Sequence, residues 1–287
     1  MEYPPRELRK NTFPPLLREI PDRPVKLYIR GELPPPDYTY LCVVGSRRTT
    51  QYGERMLHKL ITGLAGYPIT IVSGLAWGTD ANAHKAALDV GLPTIAVMPS
   101  GLNDDVMYPT MNRPLAKKIL KNGGALISEN EPDFKAMLHS FAERNRIAAG
   151  MSKATLIVEA GEKSGTLITA RLALDYNRDV LVVPHELGRE NGVGCNTLIR
   201  QGATLVRDAH DILEALGFVK ENMQQELPLP SDLTPQETAV LTALSEPLER
   251  DELIEETGLS AQVVGIALSS LLIRGLINER LGKVERV

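Results

Sequence analysis

Seven short apolar runs, most followed by a helix-like stretch, constrain this chain more than any other feature. "TYLCVVGS" precedes a predicted helix near Tyr52–Leu64, and "ITIVSG" precedes one near Asp80–Val90. "PTIAVMPSG" leads to a helix near Pro114–Lys121 and then to "ALISE". "ATLIVEA" leads to a helix near Leu167–Tyr176, and "DVLVVP" to a short one near Asn196–Gln201. "ATLVRD" then precedes "AHDILEALGF". The runs are nearly continuous in Val, Ile, Leu and Ala, as strands buried on both faces require. Their alternation with helices predicts an α/β fold, a doubly wound and mostly parallel sheet with helices on both sides.

The length of 287 residues allows one large domain and a small one. Residues 1–38 are proline-rich and are expected to pack on the sheet domain without forming a domain themselves. The sheet domain is predicted over residues 39–218. "VKENMQQELPLP", Val219–Pro230, is polar and ends in two prolines, the composition of a linker. Residues 231–287 then read as three helices and a short hairpin, the order of a small C-terminal winged-helix domain.

Charge divides the same way. The chain carries a net charge of −4, yet Ser231–Val287 alone holds 10 acidic and 5 basic residues, against 26 and 27 before it. The sheet domain is therefore near neutral, and the clustering of its basic groups decides what it binds. Cys42 and Cys195 are the only cysteines and form no CxxC, so neither a disulfide framework nor a metal site is expected. No apolar run has the roughly 18 residues of a membrane span. The opening "MEYPPRELRK" lacks the apolar core of a signal peptide, so a cytoplasmic location is expected.

Ligands of such sheets bind beyond the carboxyl ends of the strands. The loops there carry Gly45-Ser46-Arg47-Arg48, then "SGLAWGTD" with Ser73 and Gly74, then "PSGLNDD" with Gly101. "EAGEKSGTLITA" follows, with Lys163, Ser164, Gly165 and Thr166, and lastly "PHELGRENGVGCN". Each combines Gly with Ser, Thr or Asn. Glycine admits an anion close to backbone N–H groups, and a following helix N-terminus adds partial positive charge. A single loop of this kind is as well explained by tight turning; five on one edge point to an extended anionic ligand. "KSGTLITAR" lacks the GxxxxGK[ST] spacing, which argues against an ATPase. "SFAERNRIAAG" places Arg144, Asn145 and Arg146 one helical turn after Phe141. Arginine forks fit phosphate oxygens and an aromatic ring can stack a base; the alternative is an amphipathic helix whose arginines pair with carboxylates. For catalysis little is on offer: Asp80 reads as a helix N-cap, His84 as a helix–sheet contact, and Glu159 as a strand end able to pair with an arginine. No catalytic residue and no cofactor are expected.

"VVGSR", "VSGLAWGTDANAHKAAL", "TIAVMPSGLNDDVMYPTMNRPL", "LISE", "FAERNRIAAGMSKATLIVEAGEKSGTLITARLAL" and "GCNTLIRQGA" occur in the order seen in the DNA-processing protein A (DprA, or Smf) family. The resemblance runs from about Tyr3 to Phe218 and extends to the linker and tail. It implies a Rossmann-like domain that binds single-stranded DNA and acts without catalysis. It further implies protection of incoming strands, delivery to a RecA-type recombinase in natural transformation or related recombination, and homodimerisation through the Rossmann-like domain. By motif, Arg47 would contact a backbone phosphate, Phe141 and Arg144 would lie at the strand, and Lys163-Ser164-Gly165-Thr166 would hold a neighbouring phosphate. Departures from the family pattern include Pro99-Ser100 where the family usually has a glycine before the third loop's Gly-Leu, a longer third loop with Asp104 and Asp105, no proline in Phe141-Ala142-Glu143-Arg144, and His185 after Val183-Pro184. The nucleotide phosphoribohydrolases share the fold and supply the alternative reading, as does a nucleotide sensor; the PGGxGT of the former is absent. The helix at the recognition position of the winged helix holds one basic residue, which favours protein over DNA as its partner; Arg280, Lys283 and Arg286, which make the wing basic, supply the DNA alternative.

Overall fold

The structure, a computed structural model, describes residues 3–218, 233–244, 248–280 and 282–286; the expected linker lies outside them. The chain separates into two compact units, Met1–Glu221 and Asn222–Val287.

In the first unit, β1 (Arg6–Glu7), α1 (Pro15–Glu19) and β2 (Tyr28–Gly31) come first. Then β3 (Thr39–Val44), α2 (Gln51–Thr62), β4 (Ile69–Ser73), α3 (Thr79–Asp89), β5 (Thr94–Val97), α4 (Arg113–Lys121) and β6 (Ala125–Ser128) alternate. A crossover helix, α5 (Leu138–Met151), leads to β7 (Ala154–Ile157). After it come α6 (Thr166–Asp175), β8 (Asp179–Val182), α7 (Val193–Arg200), β9 (Thr204–Leu205) and α8 (Ala209–Ala215). The sheet order is β1-β2-β6-β5-β4-β3-β7-β8-β9. β3 to β9 are parallel, whereas β2 is antiparallel to both β6 and β1.

Side chains alternate across the strands, so each run feeds two cores. Cys42, Val44, Ile157 and Val182 pack with α1, α5, α6 and α7 on one face. Leu41, Val43, Leu156 and Leu181 pack with α2, α3 and α8 on the other. The N-terminal segment does more than cover the sheet: β2 extends it, with Tyr28 opposite Ser128 and Gly31 opposite Ala125. Buried Arg30 in β2 donates from Nη1 to Asp104 Oδ1 at 2.6 Å and to the Leu102 carbonyl at 2.9 Å.

Winding runs outward from β3 through β4 and β5 to β6. It then restarts at β7 on the other side of β3. Adjacent β3 and β7 therefore flank the topological switch point, where a ligand crevice is expected.

The second unit contains α9 (Pro235–Ala243), β10 (Leu248–Glu249), α10 (Arg250–Thr257), α11 (Ala261–Ile273), β11 (Ile277–Arg280) and β12 (Lys283–Arg286). Its antiparallel strands run β10-β12-β11, the three-stranded wing of a winged helix, around a core including Val240, Leu241, Leu253, Leu268 and Leu271. Thr234 and Glu237 form a capping box at α9, and β10 is a strand the sequence pattern did not suggest. Among the described residues no single helix is long and apolar enough to cross a membrane.

Candidate nucleic-acid interface

A cleft of about 450 Å³ opens at the switch point. One wall is the loop after β3, with Gly45 and Arg47. The opposite wall is Ser164-Gly165-Thr166 at the start of α6, and α5 closes the space between them with Phe141, Arg144 and Asn145. A smaller slot of about 40 Å³ adjoins it, walled by Arg47, Phe141, Trp77 and Tyr108.

Arg47 is exposed, and its Cζ stands 5.5 Å from the centroid of the Phe141 ring. That is cation–π distance, and it holds the guanidinium at the cleft mouth. The ring of Tyr108 meets Phe141 edge-on at 5.5 Å. The loop geometry that presents Arg47 is tight. Ser46 Oγ accepts the Arg48 N–H and donates to the Arg48 carbonyl, both at 3.0 Å. A Cβ on Gly45 would sit 2.5 Å from Thr79 Oγ1, so this glycine serves the packing of two loops. Arg48 is exposed and lines neither cavity; Asn191 Nδ2 donates to its carbonyl at 2.9 Å.

On the facing wall, Ser164 Oγ accepts the Thr166 N–H at 3.2 Å and donates to Thr166 Oγ1 at 3.0 Å. Gly165 is exposed, and a Cβ there would meet nothing within 4 Å. An anion can therefore reach the backbone at the positive end of the α6 dipole. Lys163 is exposed beside this turn but is not among the residues lining the cleft.

Arg144 occupies a different place from Arg47. It is buried, with Nη1 donating to the Val97 carbonyl at 3.1 Å and standing 3.8 Å from Asp80 Oδ2. It forms the cleft floor. Burial lowers its pKa against the opposing pull of Asp80, and burial raises the pKa of Asp80 against the pull of Arg144. Gly74 makes room for it: a Cβ there would lie 1.1 Å from Arg144 Nη1. Gly74 thus accommodates a guanidinium, and Ser73, fully buried, donates to the Val43 carbonyl at 2.6 Å. Gly101 is likewise a packing glycine, because a Cβ would strike the Glu131 and Pro132 carbonyl oxygens. Arg146 turns away from the cleft and pairs with Glu129, with Asp22 3.9 Å away.

Asp80 and Glu159 depart from the sequence expectation, whereas His84 meets it. Asp80 is not the N-cap of α3; Gly78 is, and Asp80 lies within the first turn. Among the described residues Glu159 pairs with no arginine. Its carboxylate accepts the Thr50 N–H at 3.0 Å and the Thr50 hydroxyl at 2.6 Å, anchoring the start of α2. His84 does join helix to sheet, through Nδ1 and Thr94 Oγ1 at 2.7 Å, and burial pushes its pKa down to about 3. Asp104 in the long third loop is neutralised by Arg30, whose hydrogen bond lowers its pKa. The loop 184–196 lines neither cavity. Trp77 is the residue that sequence reasoning missed. It was legible only as a bulky ring between the glycines of "GLAWG", and its exposure gives it significance. Among the described residues no cluster of His, Cys, Asp or Glu is arranged to hold a metal.

A doubly wound sheet with an arginine-edged cleft at its switch point, followed by a winged helix, defines the class of this protein. Residues 7–217 match the model of the DNA recombination-mediator protein A family, and residues 224–283 match the DprA winged helix domain. The chain belongs to that family, known as DprA or Smf. It is 44% identical to Protein Smf of Escherichia coli over 206 residues, 72% of this chain and 54% of that protein, so it spans about half that relative's length. It is 37% identical to DNA processing protein DprA of Streptococcus pneumoniae, covering 76% of each. The crystal structure of the Streptococcus pneumoniae protein superposes with a TM-score of 0.68 over 74% of each chain. DNA processing protein A from Helicobacter pylori, described for its single-stranded DNA binding mode, superposes at 0.66 with 31% identity over 75% of this chain and 97% of that one.

Proposed function

We propose that this protein binds single-stranded DNA across the switch-point cleft and acts as a recombination mediator without catalysing a reaction. One observation carries this reading: Arg47, held over Phe141, shares one cleft with the open N-terminus of α6. A cation beside a ring, followed by an anion nest, matches the alternation of phosphate and base along a strand. Absence of catalysis is supported by the carboxylates nearest the cleft. Asp80 is buried against Arg144 and Glu159 caps α2 through Thr50, so neither is placed to move a proton on a ligand. Family membership supports delivery of the bound strand to a RecA-type recombinase, in natural transformation or general recombination, and homodimerisation through the sheet unit.

A mobility-shift titration with single- and double-stranded oligonucleotides across a salt series tests the reading. Single strands are expected to bind more tightly, with affinity falling as salt rises. Equal affinity for duplex and single strand would sink it. Release of free base from nucleoside monophosphates would instead establish the phosphoribohydrolase alternative.

A further inference from the structure

We infer that Trp77 is the stacking platform for one splayed nucleobase, which enters the slot beside Arg47 while its phosphates follow the cleft. The inference rests on the single-strand reading and adds to it a base-binding residue. Three aromatic rings line the slot: Phe141, Tyr108 and Trp77. The first two are engaged, since Arg47 lies over Phe141 and Tyr108 abuts it edge-on. Trp77 is 52% exposed and makes no ring or cation–π contact among the described residues. An indole left half in water is the ring with a face to offer, and every base has a π-face to stack on it.

The backbone under Trp77 is held in place at some energetic cost. Leu75 is fully buried yet has φ of 57°, a strained conformation for a branched side chain. Asn112 Nδ2 secures it by donating to the Leu75 carbonyl at 2.8 Å and the Ala76 carbonyl at 3.3 Å. Gly78, with φ of 73°, brings the loop onto the Arg47 turn, where a Cβ would sit 2.4 Å from the Ser46 carbonyl oxygen. Thr79 then ties the two loops, its N–H and its hydroxyl both reaching that oxygen at 3.1 Å. The strained, cross-linked loop fixes Trp77 beside Arg47, so a strand whose phosphate meets Arg47 has a neighbouring base within reach of the indole. The slot is small, and it admits the edge of a single ring, with the rest of the base on the exposed indole.

Trp77 is the only tryptophan in the chain, so its fluorescence, excited where tyrosine does not absorb, reports on this site alone. Titrating the full chain with a thymidine oligonucleotide is expected to quench that emission in step with the mobility shift. Trp77→Ala should weaken binding about tenfold, as loss of one base stack does, and Trp77→Phe should recover most of the affinity. An oligonucleotide with the same phosphates but abasic sugars should bind the parent and Trp77→Ala alike. Binding with unchanged emission, or Trp77→Ala binding like the parent, overturns this inference and leaves the single-strand reading standing. No shift of the parent with any oligonucleotide overturns both.

Discussion

Two helices stand out in this molecule: one presents to solvent the opposite of what its composition suggests, the other the opposite of what its position suggests. α5 carries "ERNR", yet Arg144 and Arg146 are drawn inward, one against Asp80 and the Val97 carbonyl, the other against Glu129. The exposed cation of the cleft comes from a loop, at Arg47. α11 occupies the recognition position of a winged helix, where phosphate-binding side chains are customary. It exposes Ile266, Leu272 and Ile273 instead. Arg274, at its C-terminal end, has a guanidinium nitrogen 3.8 Å from Glu237 Oε2. Where a basic residue stands in the chain says little about where its charge is delivered; the partner buried beside it decides that.

Removing the buried charge should have the largest effect. Arg144→Ala strands Asp80 in the core, leaves the Val97 carbonyl without its donor and opens a void above Gly74. Breaking one half of a buried pair costs about 3–5 kcal/mol, so the sheet unit should lose that much in denaturant unfolding. A variant as stable as the parent but unable to bind oligonucleotide would make Arg144 a direct phosphate ligand and erase the contrast with Arg47.

Acid separates the two units next. His84 has a folded pKa of about 3, below its ordinary 6.5. A depressed value means its contribution is complete above pH 6.5 and is lost as pH falls toward 3. Relative to His84→Gln, the parent should lose about 1.4 kcal/mol more stability for each pH unit through that window. In the winged helix, Glu237 is held down to about 2 by the hydroxyl of Ser270 and by the N–H and hydroxyl of Thr234. Its contribution is complete above pH 4.5 and is lost only as pH falls through about 2. Urea unfolding at a series of pH values reads both, and parallel pH profiles for His84→Gln and the parent would refute the burial argument.

Arg47→Ala should weaken single-strand binding by about 1–3 kcal/mol, the loss of one charge-assisted contact. It should also lower the slope of log affinity against log salt by about 0.7, the single-strand value per phosphate. Stability should hardly change, because Arg47 is exposed. If Arg48→Ala shows these effects and Arg47→Ala does not, the strand crosses the other side of the turn.

The parallel sheet was legible because its strands, buried on both faces, read as unbroken apolar runs. β2 was not, because "YIRG" contains an arginine, and it is the hydrogen bonds of buried Arg30 to Asp104 and the Leu102 carbonyl that let it sit in a strand. At the cleft, a glycine ahead of an arginine and a serine–glycine–threonine turn carry their chemistry in local order, so both walls could be read. Ser73, Gly74 and Gly101 looked the same in sequence but meet a carbonyl, a guanidinium and two carbonyls in space. Trp77 went unread because a tryptophan is ordinarily core, and its exposure depends on the loop that Leu75 and Gly78 shape.

The smallest effect should come from removing Ser231–Val287. The residues lining the cleft all lie between Val44 and Thr169, and the sheet unit has hydrophobic cores of its own. The segment removed carries 10 acidic against 5 basic residues, so it adds repulsion rather than attraction toward a phosphate backbone. Its recognition-position helix offers three apolar side chains to solvent, a surface suited to another protein. Single-strand affinity should therefore stay within about tenfold, or about 1.4 kcal/mol. The salt slope should be unchanged, since no phosphate contact is lost. A larger drop together with a shallower slope would show that this unit meets the backbone after all, with Lys283 on the wing as the first residue to replace. A larger drop at constant slope would point instead to a role in assembling the binding-competent form, which light scattering of the shortened chain would reveal as a change in mass.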